Sequence, residues 1–237
     1  MVGLGTIVNV IAILIGSTVG ILIGHTIPKR VHDILVKGLG LFTIAIGVKM
    51  FIDTRQLIII LLSILAGAAL GELLRIERHL ENFGERIKSI TKIKESRFMD
   101  GFMTASLIYC IGPIAIMGSL YDGIDANHEL LFIKSILDGT ASIGFAAGLG
   151  VGVLFSFVPV LFYQGAITIA AMYMGHLFSS AMIVEITAVG GVLMVGLGIN
   201  LLGSLGDRDR IPVGNFLPAI AIAPFLTWLL EYFSISL

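Results

Sequence analysis

The stretch Leu131 to Met174, LFIKSILDGTASIGFAAGLGVGVLFSFVPVLFYQGAITIAAMYM, decides the fold, because it is almost continuously apolar and too long for one helical crossing of a bilayer. At about 20 residues per crossing it holds two spans, and only Gly150, Gly152 and Pro159 mark a place where the chain turns between them. Counted as two spans it gives the chain eight; counted as one, seven.

Working outward, the same criterion places crossings near 4–24, 35–52, 57–74 and 98–120, divides the stretch into 131–155 and 158–177, and adds 183–204 and 216–234. The composition agrees. Of the 237 residues 57% are hydrophobic and 13% charged, with a mean hydropathy of +1.01, which is more apolar surface than a soluble domain of this size buries. The stretch from Leu4 to Gly24 has no basic region before it and is too long for a cleaved signal core, so it reads as a retained first span. The fold class is therefore an all-α polytopic membrane protein with seven or eight transmembrane helices, forming one transmembrane domain over residues 1–237.

Charge sets orientation. With eight spans, every one of the 15 basic residues except Lys49, Arg55 and Lys134 falls in the odd-numbered loops or the adjoining helix ends, which places those loops in the cytoplasm and both termini outside. The heaviest of these loops, Arg75 to Arg97, repeats apolar residues at Ile76, Leu80, Phe83, Ile87 and Ile90. That is the stripe of an amphipathic helix, with Glu77, Glu81 and Glu85 interleaved with Arg78, Arg86 and Lys88. The bland reading, a solvated connector, is preferred to a partner-binding helix. A net charge of -1 gives no basic surface for nucleic acid. The single cysteine, Cys110, forms no intrachain disulfide.

Residues 40–51, GLFTIAIGVKMF, align without gaps on 191–202, GVLMVGLGINLL, with Gly40 on Gly191, Gly47 on Gly198 and Lys49 on Asn200. The following spans correspond in order, and the first falls opposite the sixth, with Gly16 near Gly165. Matched spans are five crossings apart in the eight-span count, so the copies run in opposite directions. The expectation is an inverted repeat of residues 4–74 against 158–234, spans 1–3 against 6–8, with the connector 75–97 and the central spans 98–155 between them. Such repeats characterise many secondary transporters. Glycines also recur at helical spacing, at Gly16, Gly20 and Gly24 and at Gly144, Gly148 and Gly152, for close packing inside one protomer in preference to a dimer seam. A homo-oligomer stays open.

Charged groups inside hydrocarbon cost about 2.5–3.5 kcal/mol each even on lenient scales, so those that persist face a cavity, a partner or the interface. Lys49, Asp122, Lys134, Asp138 and Glu185 are of this kind, supported by the uncharged Asn9, Gln164, Asn200 and Asn215. Lys134 and Asp138 are four residues apart and share a helix face; the competing reading has Lys134 snorkelling to the interface. At Cys110, Ile111, Gly112 and Pro113 the fourth span is interrupted, and proline there frees an upstream carbonyl for a solute or cation; a plain kink is the commoner meaning.

Taken in order, Asn9, the Cys110–Pro113 break, Asp122-Gly123, Lys134 to Gly139, Gln164-Gly165, Glu185 with Gly190-Gly191, Gly198 to Asn200 and Asn215 to Pro218 resemble the YqgA/YdfK family of prokaryotic membrane proteins, domain of unknown function 554. The likeness covers essentially the whole chain and implies a prokaryotic cytoplasmic membrane. It brings no activity with it.

The polar groups and the repeat favour a secondary transporter or ion-coupled carrier of a small solute or ion, with the bilayer as its other partner. An ion channel uses the same groups, and a non-transporting scaffold would use the amphipathic helix instead. An enzyme is not expected. The histidines His25, His32, His79, His128 and His176 are scattered without an HExxH pair, and no GxSxG turn occurs. Tyr121-Asp122 resembles half of an intramembrane aspartyl protease, but Gly203 to Asp207 misses the GxGD spacing of the other half. Neither metal ligands nor a cofactor motif is read.

Overall fold

The computed structural model describes residues 1–93, 95–174, 178–203 and 210–233. Lys94 and Arg208 of the charge asymmetry, His176, and Ser204 to Asp207 of the protease-like stretch lie outside them. The described chain is helical throughout: α1 (Leu4–Gly24), α2 (Lys29–Ile52), α3 (Leu57–Leu74), α4 (Ile76–Thr91), α5 (Phe98–Ile111), α6 (Pro113–Asp125), α7 (Glu129–Leu149), α8 (Phe157–Met174), α9 (Ser180–Leu201) and α10 (Pro218–Tyr232). Seven of these, α1 to α3 and α7 to α10, the last taken with the turn that precedes it from Val213, are long and apolar enough to cross a membrane, and α5 with α6 forms an eighth candidate bent by 58°. Large apolar side chains such as Ile11, Ile15 and Leu22 of α1 and Leu61, Leu62 and Leu65 of α3 are exposed, a surface suited to lipid.

Contacts divide the chain into two interleaved units, Met1–Leu39 with Glu81–Gly175 and Gly40–Leu80 with His176–Leu237. In the first, α1 lies along α7, and Gly16, Gly20 and Gly24 of α1 press on the backbone of Gly139, Ile143 and Ala147. Missing side chains permit that approach. The residue offset is constant along the contact, so the two helices run parallel. Parallel spans need an odd number of crossings between them. Helices α2 and α3 are two candidates for such crossings, and the bent pair α5–α6 is the candidate for a third.

The Leu131–Met174 stretch turns at Gly150, whose φ of +82° is open to glycine and strained for other residues. A 3₁₀ turn, Val151–Ser156, follows, and its first amide is capped by the Glu95 carboxylate. Pro159 sits in the first turn of α8, where no helical donor is lost. Ahead of this, α4 packs Gly84 against Met99 and Phe102 of α5, with Phe83 and Phe102 rings 6.2 Å apart. Ile76, Leu80 and Ile87 of α4 are half-buried, and Ile90 is exposed.

In the second unit the chain from Gly40 along α2 faces α9. Gly40 meets the Gly198 carbonyl and Gly47 that of Gly191, and the contacts are returned from the other side. The helices are thus antiparallel at closest approach. On the neighbouring pair, Gly67 and Gly71 of α3 meet Ala219 and Asn215 at the head of α10.

Candidate functional site

In the first unit α7 carries the ion pair that its spacing leads one to expect. Lys134 and Asp138, one turn apart, are 5% and 7% exposed, with Nζ donating to Asp138 Oδ2 at 2.5 Å. Lys134 does not snorkel. Asn9 of α1, fully buried, donates its amide to the same carboxylate oxygen at 3.0 Å. At 1.5 Å per residue Asp138 lies about 14 Å into α7, near the middle of that 21-residue helix.

From α5, Tyr109 places its ring 5.9 Å from the Lys134 ammonium, while its hydroxyl hydrogen-bonds Ser142 at 2.7 Å. Cys110 is buried beside it, within electrostatic reach of Lys134 and Asp138. Two residues on, Gly112 is extended (φ −67°, ψ 144°) and Pro113 opens α6. The interruption therefore leaves the last carbonyls of α5 without intrahelical donors. Asn9, Cys110, Lys134 and Asp138 thus belong to one region, and Gly112 and Pro113 follow Cys110 along the chain.

A second polar group lies nearer the end of the unit where α1 begins. Asp122, fully buried in α6, accepts from the Gly3 amide at 3.2 Å and meets His128 Nδ1 at 2.7 Å, both through Oδ1. Its other oxygen has no hydrogen-bond partner, nor have the two amide atoms of the fully buried Gln164 of α8. Thr6, Asn9 Oδ1 and Thr168 are likewise unpartnered. Sequence reading missed His128 as the partner of Asp122; the only hint was their six-residue separation across a turn.

The remaining candidates are in the second unit, where Glu185, Asn200 and Asn215 are each engaged by backbone. Glu185 accepts from Thr54 Oγ1 at 2.5 Å and from the Arg55 amide at 3.1 Å, holding the turn between α2 and α3. Asn200 bonds both backbone groups of Ile211. Asn215 accepts from the Glu77 amide and donates to Glu72, and Glu77 accepts from the Gly214 amide. Lys49 is exposed. Among the described residues no group of three His, Cys, Asp or Glu side chains is placed to hold a metal ion.

The family described as "Protein of unknown function (DUF554)" matches residues 4–228. The chain is 28% identical over 235 residues to "Uncharacterized membrane protein YdfK" of Bacillus subtilis (strain 168), covering 98% of each chain. It is 25% identical over 225 residues to "Uncharacterized protein YqgA" of Escherichia coli (strain K12), covering 93% of this chain and 94% of the other. No solved structure matches it.

Proposed function

The chain belongs to the DUF554 family, and from that premise we propose that it is an ion-coupled secondary transporter, carrying a small solute or ion across the cytoplasmic membrane of a prokaryote. The observation that carries this reading is the Asn9–Asp138–Lys134 cluster, buried near the middle of α7 beside a broken helix. An apolar pair in its place would pack at no electrostatic cost, and such replacements are often stabilising by about 1–4 kcal/mol. A pair kept there suits a carrier, because the carboxylate and ammonium can exchange each other for a charged or hydrogen-bonding solute.

The repeat supports the same reading. Gly40 aligns on Gly191 and Gly47 on Gly198, while in space Gly40 meets Gly198 and Gly47 meets Gly191. Each contact is the image of the other under exchange of the two copies, as a pseudo-two-fold axis in the membrane plane requires. Lysine and arginine bias orients both termini outside. The mechanism calls for no catalytic step and no cofactor.

Purified protein in liposomes, screened on a solid-supported membrane with inorganic ions and small metabolites, is expected to give saturable transport currents that Asp138→Asn abolishes. Unchanged currents in the variant sink the role of Asp138, and ohmic, non-saturating current makes the protein a channel.

A further inference from the structure

Around Asp122 lie buried polar atoms that find no partner, the Gln164 amide nitrogen among them. Asp122 Oδ2, Thr6 Oγ1, Asn9 Oδ1, Gln164 Oε1 and Thr168 Oγ1 all lack a hydrogen-bond partner, and their residues are at most 2% exposed. Buried polar atoms are rarely left so, since each forfeits its hydration without a replacement, and here five oxygens come from three helices of one unit.

The packing sets the three helices side by side. The Gly3 amide on Asp122 fixes the head of α1 against α6, and Gly123 packs on Thr168 and Ala171 of α8. Thr6 and Asn9 follow one and two turns into α1 on its buried side. Val160, Gln164, Thr168 and Ala171 form the buried stripe of α8, whose neighbours in this unit are α6, α1 and α5.

We propose that these five oxygens form a sodium-ion site. One carboxylate, two amide carbonyls and two hydroxyls are a hard, all-oxygen donor set of the kind alkali and alkaline-earth cations take. Charge selects among them. Lys134 and Asp138 pair with each other, so Asp122 is the carboxylate of this oxygen set, and one monovalent cation balances it; a divalent ion would leave excess positive charge in hydrocarbon. A proton would neutralise Asp122 as well but would leave the amide and hydroxyl oxygens unserved. Asn9 joins this site to the other, with Oδ1 toward the cation and Nδ2 on Asp138. Binding of sodium therefore orients the amide that holds the Asp138 carboxylate, which is how occupancy of one site would bias the other. The inference deepens the carrier reading by naming its coupling ion, and rests on that reading for the coupling role alone.

The test is binding of radiolabelled sodium to the full chain in nanodiscs, with choline chloride holding ionic strength constant, alongside thermal unfolding in the two salts. Saturable binding and a sodium-dependent rise in Tm are expected. Asp122→Asn should abolish both, and Thr168→Val and Gln164→Ala should weaken sodium binding by about tenfold, or 1.4 kcal/mol. Should Asp122→Asn fail to fold, Thr6→Val, which removes one oxygen and keeps the volume, takes its place with the same about tenfold loss. No response to sodium beyond choline, an equal response to potassium, competition by protons alone, or binding that survives these substitutions would overturn the site. Sodium binding without solute movement in liposomes sinks the carrier reading and leaves the site standing; transport that ignores sodium while sodium still binds sinks the coupling role alone.

Discussion

Lys134 and Asp138 separate a structural explanation from a functional one. Lys134→Met leaves the Asp138 charge buried with only the Asn9 amide, and should destabilise the protein by about 3–5 kcal/mol. Adding Asp138→Leu removes the orphaned charge and should recover most of that stability, measured as Tm in detergent, while transport stays at background. A double variant that transports normally would make the pair mere packing. The i,i+4 spacing made this pair legible in the chain, because a helix guarantees the contact. Asp122 with His128 and Glu185 with Thr54 were not legible as pairs, since one depends on a turn's geometry and the other joins residues 131 apart. Nor does local sequence say that Glu185 spends its carboxylate on a turn. Glu185→Gln is accordingly expected to lower Tm through the weaker hold on Thr54 and Arg55, and to leave the solute affinity of the folded protein unchanged in the liposome assay.

At the scale of helices, glycine decides which faces meet. A Cβ on Gly71 would overlap the backbone carbonyl of Asn215, and one on Gly16 that of Gly139, whereas one on Gly38 meets nothing within 4 Å. Gly71→Ala and Gly16→Ala should each cost about 1–3 kcal/mol, because backbone gives way less easily than side chains. Gly38→Ala should be neutral or stabilise by up to about 1 kcal/mol through helix propensity. Equal Tm values for the three would mean that the close approaches are absent. The regular spacing of Gly16, Gly20 and Gly24 announced a packing face, but its partner, α7, comes from the tertiary fold. The break at Cys110–Pro113 was legible because proline cannot donate within a helix. The turn inside Leu131–Met174 was not: Gly150, Gly152 and Pro159 all fit a boundary, and only the positive φ at Gly150 selects one.

For the whole molecule the span count fixes the sidedness of every loop, and it rests on α1 and α7 running parallel. Were the bent pair α5–α6 a re-entrant hairpin, α7 would start from the side that α4 occupies and would run antiparallel to α1. The two alternatives put the α6–α7 turn on opposite sides of the membrane, which cysteine labelling reads directly. Cys110 is the sole cysteine and is buried, so Cys110→Ser supplies a silent background. Single cysteines at Asp53, Ser89 and Asn127, all exposed, then report the α2–α3 turn, α4 and the α6–α7 turn. With eight crossings and the termini outside, an impermeant maleimide should label Asp53→Cys and Asn127→Cys on intact cells, and Ser89→Cys only after permeabilisation. Asn127→Cys behaving like Ser89→Cys would turn α5–α6 into a hairpin and remove the antiparallel relation that the proposed repeat requires. The carrier reading would then stand on the Asn9–Asp138–Lys134 cluster alone.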